Sequence, residues 1–195
     1  MRGYTYIILV TLVFLLCQLF PRRCASQVLA LKSNLMADVL ASPNLGVELL
    51  ASPHWSFDVG IHYQPLGWGT HRWKHWIGYG EARRWLCAPF SGAFYGFHLL
   101  CGQFNTGGVH LPFGLFEGLR DSRYEGWSYG GGVSYGYQYV LSPRWSLEGT
   151  LGLGMVLLRY DRYRCRHCGM RTGSNLHKTY FGPTRAALSL VYMLR

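Results

Sequence analysis

The sequence predicts an all-β fold, an eight-stranded antiparallel up-and-down transmembrane β-barrel, and three observations predict it. Apolar residues alternate with polar or small residues along several segments, which is the period of a β-strand. Charged residues make up only 14% of the 195 residues and aromatic residues make up 16%, a balance opposite to that of disordered chains. The chain also contains 25 glycines, which suit tight turns and closely packed strands.

Residues 1–26 predict an export signal, and residues 27–195 are expected to form the barrel domain. Residues 7–20 are almost wholly apolar, a run too short for a membrane helix but typical of a signal peptide. Cys24-Ala25-Ser26 supplies small residues for cleavage after Ser26. Because Arg22 and Arg23 follow the apolar run, an uncleaved anchor is the alternative.

The alternation is clearest in residues 127–140. One face carries tyrosines, Trp127 and Val133, and the other carries serine, glycine and Gln138. Strands of a membrane barrel place the apolar face against lipid and the small or polar face inside. The remaining strands are predicted at residues 28–38, 45–50, 57–64, 75–86, 93–104, 147–155 and 185–194. The total is eight, an even number that suits an outer-membrane barrel.

The connections between these strands are expected to alternate in length. Short turns are predicted at 52–55, 87–92 and 141–144, and longer polar loops at 65–74, 105–125 and 161–178. Tryptophans near both ends of the strands fit two aromatic girdles at the membrane interfaces.

Eight residues of the inward face form a predicted ion-pair network, since charges in a narrow lumen are costly unless they are paired. These residues are Lys32, Glu48, Asp58, Glu81, Arg83, His98, Glu148 and Arg185. An eight-stranded barrel is just wide enough for side chains to fill, so a plugged lumen is expected and not a pore. Acid–base catalysis by the carboxylates and the histidine is the alternative interpretation.

Two other classes of protein are weighed against a non-enzymatic barrel. A lipid-modifying barrel enzyme needs a pair such as Ser134 and His98 within hydrogen-bond reach. A soluble lipocalin-like binder would turn its apolar face inward, whereas the face of small and polar residues at 127–140 argues for the reverse arrangement.

Cys165 and Cys168 form a C-x-x-C motif in a predicted polar loop. A local disulfide is the default for an exported protein, and a zinc half-site completed by His167 or His177 and free thiols are the alternatives. No other cofactor is expected. Cys87 and Cys101 are not expected to pair, because strand spacing places them too far apart.

Basic residues concentrate in two of the longer loops. Such loops suit the phosphates of lipopolysaccharide at the outer-membrane surface, and a solvated charged surface is the alternative. Nucleic acid is not expected as a partner of an exported protein. The predicted basic surface comprises Arg72, Lys74, Arg162, Arg164, Arg166, Arg171 and Lys178.

Six short motifs of the chain carry a resemblance to a known family. They are Ala30-Leu31-Lys32-Ser33-Asn34-Leu35, Pro43-Asn44-Leu45-Gly46-Val47-Glu48, Trp73-Lys74-His75-Trp76, Gly130-Gly131-Gly132-Val133-Ser134-Tyr135-Gly136-Tyr137, Cys165-x-x-Cys168-Gly169 and Tyr180-Phe181-Gly182-Pro183-Thr184. With these motifs the chain resembles a family of small outer-membrane proteins of anaerobic Gram-negative bacteria, a domain of unknown function. The resemblance implies an architecture like the OmpA membrane anchor, location in the outer membrane, and a role in fimbrial or surface assembly, because related genes often lie beside fimbrial genes. It implies no catalytic residues.

Overall fold

A computed structural model describes residues 29–65, 67–68, 71–107, 122–164 and 170–194. The predicted export signal therefore lies outside the described residues. The described elements, in chain order, are β1 (Leu29–Asn34), α1 (Leu35–Val39), β2 (Asn44–Ser52), β3 (Trp55–Gln64), β4 (Gly67–Trp68), β5 (His71–Trp85), β6 (Gly92–Gly107), β7 (Arg123–Val140), β8 (Trp145–Tyr163) and β9 (Arg171–Leu194).

Eight of the strands close into a ring in which every neighbour is antiparallel. Strands β5 to β9 pair consecutively, β9 pairs with β1, β1 with β2, β2 with β3, and β3 closes the ring by pairing with β5. The short β4 lies outside this ring and pairs only with the start of β5. The prediction of an all-β chain with eight antiparallel strands is confirmed.

The side chains sort to two faces as the alternation predicts. Leu151 is 72% exposed and Val133 is 64% exposed on the outside, whereas Glu48 and Arg83 on the inside are fully buried. An apolar exterior around a charged interior is the reverse of the usual arrangement in a water-soluble domain.

One end of the ring carries the short connections and is closed by aromatic side chains. The β5–β6 turn places Phe90 in the left-handed region (φ 57°), and Gly92, the first residue of β6, also has a positive φ (82°). Phe90 and Phe94 pack against Trp85, with ring centroids 5.8 and 4.8 Å away. Together they fill the lumen at this end.

The first strand, predicted at residues 28–38, is wrong beyond Asn34, because residues 35–39 form α1. The side chain of Asn34 accepts a hydrogen bond from the backbone N–H of Met36 and caps the helix. Asp38 is exposed at the rim, where it accepts hydrogen bonds from Ser33 and Asn44. A side-chain cap of this kind ends a strand by offering the backbone a local alternative.

The predicted long loops at 65–74 and 161–178 are also wrong over most of their described length. Strand β5 begins at His71, and β8 and β9 continue to Tyr163 and from Arg171. Aromatic and cation–π contacts support this extension, with Tyr124 5.5 Å from Tyr160 between ring centroids. Cross-strand aromatic pairs stabilise strands even where the residues are polar.

Candidate functional site: the charged interior of the ring

The interior network is centred on Arg83, which β5 directs into the lumen. Its Nε lies 2.6 Å from Glu81, its Nη2 2.6 Å from Asp58, and its Nη1 3.0 Å from both Glu48 and Glu148. All five side chains are at most 2% exposed. One guanidinium therefore binds four carboxylates, which is the geometry for which its fixed fork of donors is suited.

Two further cations complete the network. Lys32 pairs with Glu48 and with Glu148. Arg185 places its Nη2 3.0 Å from Asp58 and its Nη1 3.5 Å from Glu81. Each carboxylate thus has Arg83 and one other cation as partners.

The strand register explains why the cations are needed. Glu48 lies opposite Asp58 across β2 and β3, and Asp58 lies opposite Glu81 across β3 and β5. Like charges directly opposite one another destabilise a sheet, and buried unpaired charges cost several kcal/mol each. The cations of the network offset both penalties.

Three hydroxyl groups support the carboxylates, and the sequence analysis did not identify them as members of the network. Ser56 donates to Glu48, Ser134 donates to Glu81, and Thr150 donates to Glu148 at 3.0 Å. Ser56 and Thr150 each stand two residues from an acid of the network, on the same face of a strand. That period of two was a usable signal.

His98 is buried beside the network, with 1% of its surface exposed. Its Nε2 lies 2.8 Å from Thr184 Oγ1, and it stands opposite Glu81 across β5 and β6. Because Ser134 donates to Glu81 and His98 pairs with Thr184, the Ser–His pair expected of a barrel enzyme is not hydrogen-bonded. The structure therefore brings together all eight predicted interior residues around one lumen.

The predicted basic surface occupies strands more than loops. Lys74 is exposed on β5, Arg162 on β8, Lys178 on β9, and Arg164 just beyond β8. Arg171 is exposed and lies 3.2 Å from Asp161. The backbone of Arg72 lies in β5, and Arg166 lies outside the described residues.

At the end of the ring that carries these basic residues, the clearest electrostatic effect is on the carboxyl group of Asp161. A hydrogen bond from the backbone N–H of Asn175 (2.8 Å) and the neighbouring Arg171 hold the pKa of the Asp161 carboxyl below its usual value. This contact joins β8 to β9 near the tip of the hairpin.

The structure describes two of the four cysteines for which predictions were made. Cys87 and Cys101 are free thiols and both are exposed. Cys165 and Cys168 lie outside the described residues, so the choice between disulfide, zinc and free thiols stays a prediction. Within the described ranges, no group of three or more histidine, cysteine or acidic residues is arranged to hold a metal ion.

The fold and its interior define a class of protein: a closed antiparallel β-ring with an apolar exterior and a buried ionic core. The chain belongs to the family described as "Protein of unknown function (DUF3575)", whose profile matches residues 8–194. No curated protein and no solved structure matches the chain. Across the described segments, no helix is both long and apolar enough to cross a membrane.

Proposed function

We propose that this protein is a non-enzymatic β-barrel of the outer membrane of a Gram-negative bacterium, with a closed lumen and a basic outer end that binds surface components. The observation that carries the proposal is the inverted polarity of the ring. Large apolar side chains are exposed on the outside of six of the eight ring strands, while seven charged residues are inside.

A soluble ring does not account for this exterior. Val59, Leu99, Tyr135 and Leu153 are each more than half exposed, and they lie on four different strands. Soluble monomers rarely expose contiguous apolar patches larger than a few hundred Å². A bilayer is the solvent that makes such a surface favourable, and a closed ring satisfies the backbone groups that lipid cannot.

The height of the apolar surface matches a membrane. On β8 the outward residues from Leu147 to Leu157 carry no charge, and Arg159 is the first charged residue beyond them. Ten residue steps at about 3.3 Å, on a strand tilted by roughly 40°, span about 25 Å along the membrane normal. That is the height of the apolar band of outer-membrane barrels.

Above this apolar band, one row of outward residues is polar or charged. Lys74 lies opposite Asn105, Asn105 opposite Glu125, and Glu125 opposite Asp161. The row below contains Trp76 and Trp127, whose ring centroids are 5.8 Å apart, and Arg159 lies opposite Trp127. Aromatic residues followed by charged ones are typical of a membrane interface.

The interior supports an anchor and not a channel. Aromatic side chains close the short-turn end, and the ion pairs around Arg83 occupy the middle of the lumen. A barrel of this size has no room for a pore beside such a network.

The long-connection end supports binding to phosphates of lipopolysaccharide. Arg159, Arg162, Arg164 and Lys178 are exposed at this end of β8 and β9. Arginine and lysine are the side chains that bind phosphate. The resemblance to small outer-membrane proteins adds a fimbrial or surface-assembly role to this proposal, with a surface protein as a second partner.

The membrane proposal is tested by thiol labelling of Cys87 and Cys101, which form a matched pair. Both thiols are exposed, but Cys87 lies in a short turn, whereas Cys101 stands opposite Gly78 and Tyr129 within the apolar band. Two variants, each keeping one of these cysteines and no other, are placed in lipid nanodiscs and treated with a charged maleimide.

We expect Cys87 to react rapidly and Cys101 to be protected, because a charged reagent does not enter hydrocarbon. In urea both should react at the same rate, which controls for intrinsic reactivity. Equal rates in nanodiscs, or recovery of the untagged protein in the soluble fraction of cells, would refute the membrane proposal.

A charge placed in the band gives a second test. Leu151→Arg should cost about 2–4 kcal/mol of stability in lipid, as arginine does near the bilayer midplane. Ser174→Arg, on the exposed part of β9, is the control and should change stability little.

A further inference from the structure

Between the ionic network and the long-connection end, the ring holds a cavity of about 330 Å³. Its walls come from β1, β2, β3, β5, β6 and β9, and α1 forms one side through Met36 and the C-cap residue Leu40. The volume is within the range of small-molecule pockets. Gln64 helps to hold α1 in place, since its Nε2 donates to the carbonyl of Leu40 at 3.1 Å.

Two residues that line the floor of the cavity each have a buried nitrogen atom without a hydrogen-bond partner. His98 Nδ1 has no hydrogen-bond partner among the described residues. Arg185 Nη1 also lacks a hydrogen bond there, although it forms an ion pair with Glu81 at 3.5 Å. Leaving such groups unsatisfied is unfavourable, and more so for a charged group.

A glycine brings these two groups together. The position that a Cβ of Gly152 would take lies 2.9 Å from the imidazole of His98 and 3.0 Å from the Cβ of Arg185. Any larger residue on β8 would push one of them away. The adjacent Thr184 occupies His98 Nε2 and leaves Nδ1 as the unpartnered nitrogen.

The charges that line the cavity are all of one sign. Lys32 and Arg185 belong to its lining together with His62, His75 and His98, whereas none of the four carboxylates of the network does. The carboxylates lie behind the cations. The cavity therefore presents positive and hydrogen-bond-donating groups at its floor.

The upper walls are mainly apolar. Trp73, Ile77 and Leu100 face the cavity across from α1. An apolar chamber with a few convergent polar groups at one end is the usual form of a site for an amphipathic small molecule.

We infer that this cavity binds a small organic carboxylate, whose charged end contacts Arg185 and His98 and whose hydrocarbon or aromatic body lies against Trp73, Ile77 and Leu100. Because Arg185 Nη2 already donates to Asp58, Nη1 is the guanidinium donor that would contact the ligand, through a charge-assisted hydrogen bond. In the tautomer in which Nε2 of His98 accepts from Thr184, Nδ1 carries the proton and donates to the second carboxylate oxygen. The inference concerns the inside of the ring and holds whether or not a membrane surrounds it.

The test uses benzoate as the probe and benzamide as its uncharged match. Binding to the full chain, folded in detergent micelles, is measured by calorimetry and by the imidazole resonances of the histidines. We expect benzoate to bind saturably in the low-millimolar range or tighter and to shift the resonances of His98, and benzamide to bind at least about tenfold more weakly.

Three variants separate the site from non-specific effects. His98→Gln and Arg185→Gln should each weaken benzoate binding about tenfold or more. Leu100→Trp fills the cavity without altering a charge and should abolish binding, so the test does not depend on the network variants folding. His54→Gln, in the turn at the opposite end of the ring, should bind as the unaltered protein does.

The inference is overturned if benzoate shows no saturable binding, if benzamide binds equally well, or if Leu100→Trp binds as tightly as the unaltered protein. In the first case the cavity holds water only. None of these results depends on the membrane labelling experiment, so the two proposals fail independently.

Discussion

Replacing Arg83 by glutamine tests how much the interior network contributes to stability. Arg83 contacts four carboxylates. After Arg83→Gln, Glu48 and Glu148 still have Lys32, and the remaining two acids still have Arg185. The structure therefore predicts the cost of losing one buried partner, not four separate losses.

The expected decrease in the free energy of unfolding is about 3–5 kcal/mol, the usual cost of leaving a buried charge without its partner. The network contains four carboxylates and three lysine or arginine cations, so the change deepens an existing excess of negative charge. Urea unfolding of the protein in lipid vesicles, followed by tryptophan fluorescence, measures this difference.

Arg84→Gln is the matched control, since Arg84 is the next residue on β5 and faces outward. Its one described contact is with the ring of Trp55, 5.9 Å from the centroid. We expect a change within about 0.5 kcal/mol. The double change Arg83→Gln with Glu48→Gln should recover part of the loss, because the two residues are coupled. If Arg83→Gln costs no more than Arg84→Gln, the network does not stabilise the ring as argued.

Two further predictions concern the sheet and the outer hairpin. Gly132→Ala should lower the free energy of unfolding by about 1–3 kcal/mol through overpacking, because the added Cβ would lie 2.1 Å from the carbonyl oxygen of Leu153. The same urea unfolding experiment measures it. Gly149→Ala is the control, because a Cβ at Gly149 would meet nothing within 4 Å. Because its folded pKa is depressed, the contribution of Asp161 is present above the ordinary carboxyl pKa and is lost as the pH falls below about 4. Amide exchange at Asn175 should therefore accelerate at acidic pH, and Asp161→Asn should make that exchange independent of pH in this range once intrinsic rates are subtracted.

The sequence determined the sidedness of the strands. Side chains alternate with a period of two whatever the partner strand is, so the inward positions of Glu48, Asp58 and Glu148 followed from local pattern alone. The strand count followed in the same way, because each apolar alternation between turn residues marks one strand.

The local pattern of apolar and polar residues was not sufficient where a strand and a helix fit it equally well. Residues 35–38 continue the alternation of β1 for only a few positions, too few to distinguish a strand from one turn of helix. The Asn34 side chain decided the outcome by capping α1. The extensions of β5, β8 and β9 were missed because their polar residues suggested loops. These segments are strands because they pair with neighbouring strands, which the local sequence does not reveal.

Only the tertiary structure decided which charges meet. Arg83 binds Glu48 and Glu148, which are 35 and 65 residues away in the chain, and these contacts exist because ring closure fixes the register between strands. The cavity between His98 and α1 arises in the same way, from strands that are distant in sequence. Periodicity assigns each residue to a face, but the register of non-local pairs, set by the whole closed sheet, assigns its neighbours.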